Sequence, residues 1–313
     1  MAPAASRAGA IAIPASLEHL PEVEARRMAP LAPLTTFRIG GPADLLLVPR
    51  SAAGLAAALR ATRRAGLPLL PIGAGSNLLV AERGFRGVAI KIGSGLGPVR
   101  VEGERLAADA GRTLPELMRR ARRAGLSGLE FAGGIPGSLG GSLRMNAGAW
   151  GHEMSEVADR IRGIDEAGEA VELAAREIAW SYRSASFPRP LTIVEAELRL
   201  TPGDPERIAT QEEAWHEARR RTQPLGEPSA GCVFTNPPGD HASRLIDAAG
   251  LKGEREGGAM VSPVHANFIV NAGGATADDV MRLVARVRER VRAAHGVELR
   301  LEVQLVGLED GGA

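Results

Sequence analysis

The clearest pattern in this chain lies near its C-terminal end. Val280, Leu283, Val284, Val287 and Val291 recur at helical intervals and so share one stripe of a helix. Thr276 is placed to cap that helix and Gly296 to end it. After Gly296 the period changes to two. Leu299, Leu301, Val303 and Leu305 share one face of a strand over 297–306, and Glu298, Arg300, Glu302 and Gln304 share the other. The polar face is either a solvent face or the wall of a site, and periodicity does not choose between them.

Upstream the elements are shorter. Residues 17–29 are charged and weakly periodic, a short helix at most, and 1–16 read as a flexible tail rather than a secretory signal. A strand over 45–48 ends at Pro49, and Ser51 caps a helix running to about Ala65 before Gly66. Strands follow at 69–72, 78–80, 88–92, 99–101 and 106–108. Thr113 and Glu116 have the spacing of a capping box for a helix to about Ala124. Residues 161–165 and 170–173 form a hairpin about Ala167 and Gly168, and 191–200 alternates as a strand. The sequence Thr201-Pro202-Gly203-Asp204-Pro205 is the best boundary signal, and a charged helix over 206–221 follows it. Strands and helices mix without a repeat, so the expected class is α+β.

Between these elements lies GGIPGSLGGSLRMNAG, residues 133–148, with six glycines. It is too glycine-rich to predict a helix. It is either a set of tight turns or a cradle of bare N–H groups for a phosphorylated ligand, and its density, with Ser138 and Asn146 inside it, favours the cradle. A strand opening into Gly73-Ala74-Gly75-Ser76-Asn77 resembles a second phosphate-binding turn, although the dinucleotide fingerprint is incomplete.

Composition narrows the function. A formal net charge of +1 gives no reason to expect nucleic acid as a partner. Cys232 is the sole cysteine, which excludes an internal disulfide and a multi-cysteine metal site, and no metal is expected. No apolar run approaches the ~18 residues of a membrane span, so a cytoplasmic protein is expected. Candidates for chemistry are few: Tyr182 and Arg183 in YRSASF, Cys232 in SAGCVFTNP, and Glu302 in the final strand. Each also has an ordinary reading, as a surface ion-pair partner, a small buried hydrophobe and a solvent-facing strand residue.

Taken in order, the segments resemble the UDP-N-acetylenolpyruvoylglucosamine reductases, flavoenzymes of bacterial cell-wall precursor synthesis. The landmarks are TTFRIGGPAD (35–44), GAGSNLLV (73–80), GLSGLEFAGGIPGSLGGSLRMNAGA (125–149), YRSASF (182–187), SAGCVFTNP (229–237), LIDAAGLKG (245–253), VHANFIVN (264–271) and LEVQLVG (301–307). The lack of a long insertion between Phe187 and Thr201 resembles the shorter of the family's two types. The resemblance implies an FAD-binding domain of two α+β subdomains, of the vanillyl-alcohol oxidase class, over 31–203 (about 31–97 and 98–203). It further implies a smaller α+β substrate-binding domain over 204–296, and a strand over 297–313 returning to the flavin domain, with 1–30 as tail or short helix.

The same resemblance implies non-covalent FAD, NADPH as electron donor and UDP-N-acetylglucosamine enolpyruvate as substrate, in a chain expected to be a monomer. FAD contacts fall on Gly73, Ala74, Gly75, Ser76 and Asn77, and on Gly134, Ile135, Pro136, Gly137, Ser138, Gly141, Ser142, Asn146, Ala147 and Gly148. Ser142 and Asn146 are expected at the polar edge of the flavin ring. Substrate contacts fall on Tyr182, Arg221, Asn236 and His265. Catalysis falls on Arg183 beside the substrate carboxylate, on Glu302, which either orients Arg183 or, protonated, hydrogen-bonds the carboxylate, and on Cys232 as proton donor where many members have Ser. Thr235 stands where many members have Lys, so Arg220, Arg221 or Lys252 is expected to supply that charge. Two other readings stand beside this one: another FAD-dependent oxidase or dehydrogenase of the same fold, and a non-catalytic UDP-sugar or flavin-binding protein.

Overall fold

The computed structural model describes residues 11–310. Most of the tail expected over 1–16 and the last residues of the segment 297–313 lie outside the described residues. A single 3-10 turn, Ala15–His19, leads not into a helix but into strand β1 (Val23–Pro30). β1 pairs antiparallel with β2 (Pro42–Pro49), with Val23 opposite Pro49 and Pro30 opposite Pro42. The charges that suggested a helix belong to an edge strand, where one side of the ribbon is unpaired and tolerates them. Arg26 pairs with Glu24 at 2.7 Å, and Arg27 reaches Glu18.

Helix α1 (Ala52–Arg64) follows, its first turn closed by Ser51 Oγ accepting the Gly54 N–H at 3.0 Å. Strands β3 (Leu69–Ile72), β4 (Leu78–Val80) and β5 (Phe85–Lys91) come next. β1, β2, β5 and β3 form a sheet in that order, parallel between β2, β5 and β3. Leu45 and Leu47 face one core with Val88 and Ile90, while Leu46 and Ala89 face another with Ile72, Val80 and Val306. Burial on both faces is why the run 45–48 is apolar without alternation.

The second sheet is antiparallel. It uses β6 (Arg100–Glu102) and β7 (Arg105–Asp109), then, beyond helices α2 (Leu114–Arg123) and α3 (Leu139–Arg144), strands β8 (Ala158–Asp165) and β9 (Ala170–Ala174). A small hairpin, β10 (Ala179–Ser181) and β11 (Ser184–Ser186), precedes β12 (Leu191–Arg199). The order is β9-β8-β12-β7-β6. Leu55, Ala58 and Leu59 of α1 share a core with Leu106, Ile161 and Ile193, so α1 is packed between the two sheets. The capping box expected at α2 does not form. Thr113 makes no side-chain cap, and Glu116 is held by Arg112 at 2.7 Å instead.

Helix α4 (Pro205–Thr222) packs back on α2, with Arg122 and Glu212 paired at 2.6 Å. Then come β13 (Ser229–Cys232), α5 (Ala242–Ala248), β14 (Arg255–Glu256), β15 (Ala259–Val261), β16 (Phe268–Asn271) and α6 (Ala277–His295). These four strands form an antiparallel sheet, β13-β16-β15-β14, whose Val261 and Ile269 pack with Leu245, Val280, Val284 and Val287. Phe37, Ile39 and Leu79 enter this core from the first part of the chain, so the C-terminal unit is joined to it by buried apolar surface.

The final strand is shorter than its alternation predicts. Only β17 (Gln304–Val306) is a strand, parallel to β4. Before it, Leu301 bridges to Phe234 and the Glu302 N–H donates to Val233 O at 2.8 Å. The segment changes partner between the C-terminal unit and β4, so no continuous ladder forms over 297–306. Among the described residues no helix is long and apolar enough to cross a membrane.

Candidate active site

Both glycine stretches reach the same place. β3 ends at Ile72, and the chain turns through 73–77 before β4. Among the described residues, the main-chain N–H groups of Gly73, Ala74, Gly75, Ser76 and Asn77 donate to no main-chain carbonyl. Such a run of unspent donors is what an anionic group requires of a backbone. A Cβ on Gly73 would collide with Ser138 Oγ, so glycine there is what lets the two stretches touch. Lys91, one of the chain's two lysines, donates its Nζ to Gly73 O, and burial lowers its pKa.

The stretch 133–148 is more folded than its composition predicts. Gly133 and Ile135 N–H groups close turns onto Glu130 O and Ala132 O, each at 3.0 Å. Leu139 and Gly140 donate to Arg112 O and Ala110 O, each at 2.8 Å, and residues 139–144 form helix α3. Leu139 and Leu143, four apart and fully buried, supply the packing that overrides glycine's poor helix propensity. Most donors of an open cradle are therefore spent here, and the bare backbone is concentrated at 73–77. Asn146 is likewise occupied: it is fully buried at φ +41°, with Nδ2 donating to Ser181 O at 3.1 Å and Oδ1 accepting the Ser155 N–H at 2.9 Å. It braces the β10–β11 hairpin, with one hydrogen bond at each end of its carboxamide.

That hairpin carries Arg183 at its tip. Arg183 has φ +56°, a conformation non-glycine residues rarely hold without functional or packing reasons. Its Nη2 donates to Gly148 O at 3.0 Å, and Nε lies 3.2 Å from Glu302 Oε1, too bent for a hydrogen bond, so the contact is an ion pair. Glu302 is a site-wall residue, its side chain only 17% exposed. Burial raises its pKa against the opposing pull of Arg183. Its main chain is held from both sides, by Val233 O and by Asn77 Nδ2, which donates to Glu302 O at 3.1 Å. Cys232 completes the group. Burial and the Glu302 charge push its thiol up to about 12, and Arg183, Arg219 and the Asn267 side chain oppose that without reversing it. The sulfur is therefore a protonated thiol at neutral pH.

The structure brings Arg183, Cys232 and Glu302 together beside Gly148 and adds Arg219. Arg219 donates Nη1 to Gly133 O at 3.1 Å and Nε to Gln223 Oε1 at 2.9 Å, and a Cβ on Gly134 would sit 2.8 Å from its Cδ. Burial lowers its pKa. Arg221, the arginine chosen from sequence, points away: its side chain is 68% exposed and faces Glu217 at 3.7 Å. Ile208, Glu212, Trp215 and Arg219 follow helical spacing along one stripe, and that period distinguishes Arg219 from its neighbours. Asn236 spends Oδ1 on the Ala242 N–H at the start of α5, at 3.0 Å. Tyr182 is half exposed, its ring 5.0 Å from the Arg183 guanidinium carbon. His265 packs edge-on to Phe268 with Nδ1 buried and unpartnered, and burial lowers its pKa.

A run of bare backbone N–H groups faced by an arginine–glutamate pair and a protonated thiol suits an oxidoreductase with a phosphorylated cofactor, and comparison with known proteins makes that class a flavin-dependent oxidoreductase. The FAD binding domain family matches residues 43–174, which include both glycine stretches. The C-terminal domain family of UDP-N-acetylenolpyruvoylglucosamine reductase matches 223–306, which includes Cys232 and Glu302. The reductase of Anaeromyxobacter sp. (strain Fw109-5) is 45% identical over 306 residues, 96% of each chain. That of Alkalilimnicola ehrlichii is 48% identical over 284 residues, 91% of this chain and 95% of the other. The crystal structure of the reductase from Thermus caldophilus superposes with a TM-score of 0.78 at 36% identity, covering 91% of this chain and 98% of that one. The chain belongs to the UDP-N-acetylenolpyruvoylglucosamine reductase family, as an FAD-dependent oxidoreductase of peptidoglycan precursor synthesis.

Proposed function

We propose that the protein reduces the enolpyruvyl ether of UDP-N-acetylglucosamine enolpyruvate to UDP-N-acetylmuramate with electrons from NADPH, and that Cys232 donates the proton. The observation that carries this reading is the convergence of Cys232, Arg183 and Glu302 beside the two glycine stretches. FAD, when bound, would supply the hydride chemistry that links NADPH to the methylene carbon of the enolpyruvyl group. The bare N–H groups of 73–77 would hold its diphosphate, with the turn and helix over 134–148 as the opposite wall.

The chain's own residues do the rest. Hydride addition leaves electron density on the substrate carboxylate as an enolate-like form, and a fixed cation beside it lowers the barrier. Arg183 supplies that cation, held by Glu302 and by Gly148 O. The S–H bond of Cys232 breaks toward the neighbouring carbon, and its electron pair stays on sulfur. Arg219, half-buried on the inward stripe of α4, is the cation for the negatively charged diphosphate of the substrate, with Tyr182 and His265 beside it. Flavin binding belongs to residues 31–203 and substrate binding to the C-terminal unit, with α4 and the terminal segment closing between them. One chain carries every residue named, so a monomer in the cytoplasm suffices.

Stopped-flow absorbance tests the proposal. The protein reduced by NADPH is mixed with the enolpyruvyl substrate, and flavin absorbance is expected to return in the wild type. In Cys232→Ala it is expected to return at least about a hundredfold more slowly, the scale of general acid catalysis, with reduction by NADPH unaffected. No reoxidation in the wild type sinks the reductase assignment, and unchanged reoxidation in the variant sinks the role of Cys232.

A further inference from the structure

β13 and β16 lose register between Ser229 and Cys232, so the ladder is interrupted just before the acid; Cys232 pairs with Phe268, and 233–234 lie beyond the strand. What replaces the ladder there is one side chain. Asn267, 3% exposed, accepts the Phe234 N–H on Oδ1 at 3.0 Å and donates Nδ2 to Phe234 O at 2.8 Å. Its main-chain oxygen takes the Val233 N–H at 2.8 Å. The carboxamide thus imitates a peptide group and stitches Phe234 where the strand fails to. On the other side, Val233 O accepts the Glu302 N–H at 2.8 Å and Leu301 bridges to Phe234. The acid's segment lies between Asn267 and the segment that carries Glu302.

A carboxamide nitrogen has two hydrogens, and Phe234 O takes one. We propose that Asn267 is a positioning residue for the proton transfer: its carboxamide fixes 232–234 against Glu302 and turns its second N–H toward the Cys232 sulfur. This rests on Cys232 being the acid. When the S–H bond breaks, the pair left on sulfur meets that N–H together with the guanidinium groups of Arg183 and Arg219, while Glu302 opposes the charge. Those are the charged groups facing the sulfur from the β10–β11 hairpin, α4 and the terminal segment. The Asn267 side chain opposes the rise in the thiol's pKa from the loop before β16, where it is fixed by its two hydrogen bonds to Phe234. Nothing in the pattern VHANFIVN singles out this asparagine, because its partner is reached only through the broken register.

The test uses the FAD-loaded full chain with Asn267→Ala, Asn267→Asp and Cys232→Ala. In both Asn267 variants, flavin reduction by NADPH is expected within about twofold of wild type, and reoxidation by the enolpyruvyl substrate is expected to slow at least about tenfold with little change in substrate Kd. The pH profile for alkylation of Cys232 by iodoacetamide is expected to move to higher pH, which general loosening of the fold would move the other way by exposing the sulfur. Asn267→Asp keeps an acceptor for the Phe234 N–H, so it carries the test if the alanine variant does not retain flavin. Equal slowing of both half-reactions, or an unmoved alkylation profile, overturns the proposal. Slow reoxidation in Cys232→Ala beside normal Asn267 variants refutes the positioning role alone. Normal reoxidation in Cys232→Ala refutes the acid assignment on which it depends.

Discussion

A thiol performs as an acid only while it keeps its proton, and the surroundings of Cys232 suit the role proposed for it. Two guanidinium groups near a cysteine ordinarily favour thiolate. Here burial outweighs them and Glu302 adds to it, so the thiol rises from 9.0 to about 12. The consequence for stability follows from the sign of that shift. The unfolded chain ionises near pH 9 while the folded one keeps its proton, so the contribution is whole below pH 9 and is lost as pH rises toward 12. Reactivity reports the same quantity more directly. At pH 8, iodoacetamide should label Cys232 in the native protein on the order of a thousandfold more slowly than in urea, because the thiolate fraction falls tenfold per unit of pKa. Labelling at equal rates would show an ionised or freely exposed sulfur and remove the acid from the mechanism. At this scale the sequence was informative about residue type and weak about surroundings. Cys232, Arg183 and Glu302 stand out by position in their motifs, but the burial that sets their ionisation comes from segments far away in the chain.

At the scale of elements, legibility followed periodicity. α6, with its stripe of Val280, Leu283, Val284, Val287 and Val291 and its Thr276 cap, is where the pattern places it, because local propensity, capping and burial agree. β1 is not, since an edge strand with Arg26 and Arg27 exposed lacks the alternation that marks a half-buried strand. α3 is not either: its glycines argue against a helix, and only the buried Leu139 and Leu143 explain it. α4 is the instructive case. Its existence is plain from sequence, but its orientation is set by contacts made elsewhere. Glu212 pairs with Arg122, and the rings of Trp215 and Trp150 stack at 6.0 Å between centroids with 4° between planes. That orientation turns Arg219 inward and Arg221 out. Arg219→Ala is therefore expected to raise KM for the UDP-sugar about ten- to a hundredfold, the loss of one buried charge-assisted contact of about 1.5–3 kcal/mol. Arg221→Ala is expected to stay within about twofold on the same measure. Steady-state kinetics at saturating NADPH decides, and the reverse ranking would mean α4 is rotated relative to this structure.

At the scale of the whole molecule, the C-terminal segment is tied to the turn that follows β3. The chain leaves the C-terminal unit at Leu299, passes Glu302 across the face of Cys232 and finishes as β17 against β4, the strand directly after the 73–77 turn. Gln304 N–H donates to Asn77 O at 3.0 Å, Ala81 N–H donates to Val306 O at 2.9 Å, and Arg83 Nε donates to Gly307 O at 2.7 Å. Val306 is buried in the core that contains Ile72 and Val80. The terminal strand therefore fixes the 73–77 turn and Glu302 together, the two parts to which the proposed function assigns the flavin diphosphate and the orientation of Arg183. A chain ending at Val303 keeps Glu302 and the buried C-terminal core but loses this tie, together with Leu305, Leu308 and the Arg288–Asp310 pair at the edge of that core. Burying one valine and making these hydrogen bonds together stabilise by roughly 3 kcal/mol, a fraction of a normal domain's stability, so the shortened chain is expected to fold with a lower midpoint in urea. Two functions should fail with it: FAD release, followed by flavin fluorescence on dilution, should increase, and reoxidation by the enolpyruvyl substrate should slow more than flavin loss explains. If FAD retention and reoxidation both survive the truncation, β17 is only a closing strand, and the coupling between the flavin turn and Glu302 runs through Asn77 Nδ2 and Glu302 O alone.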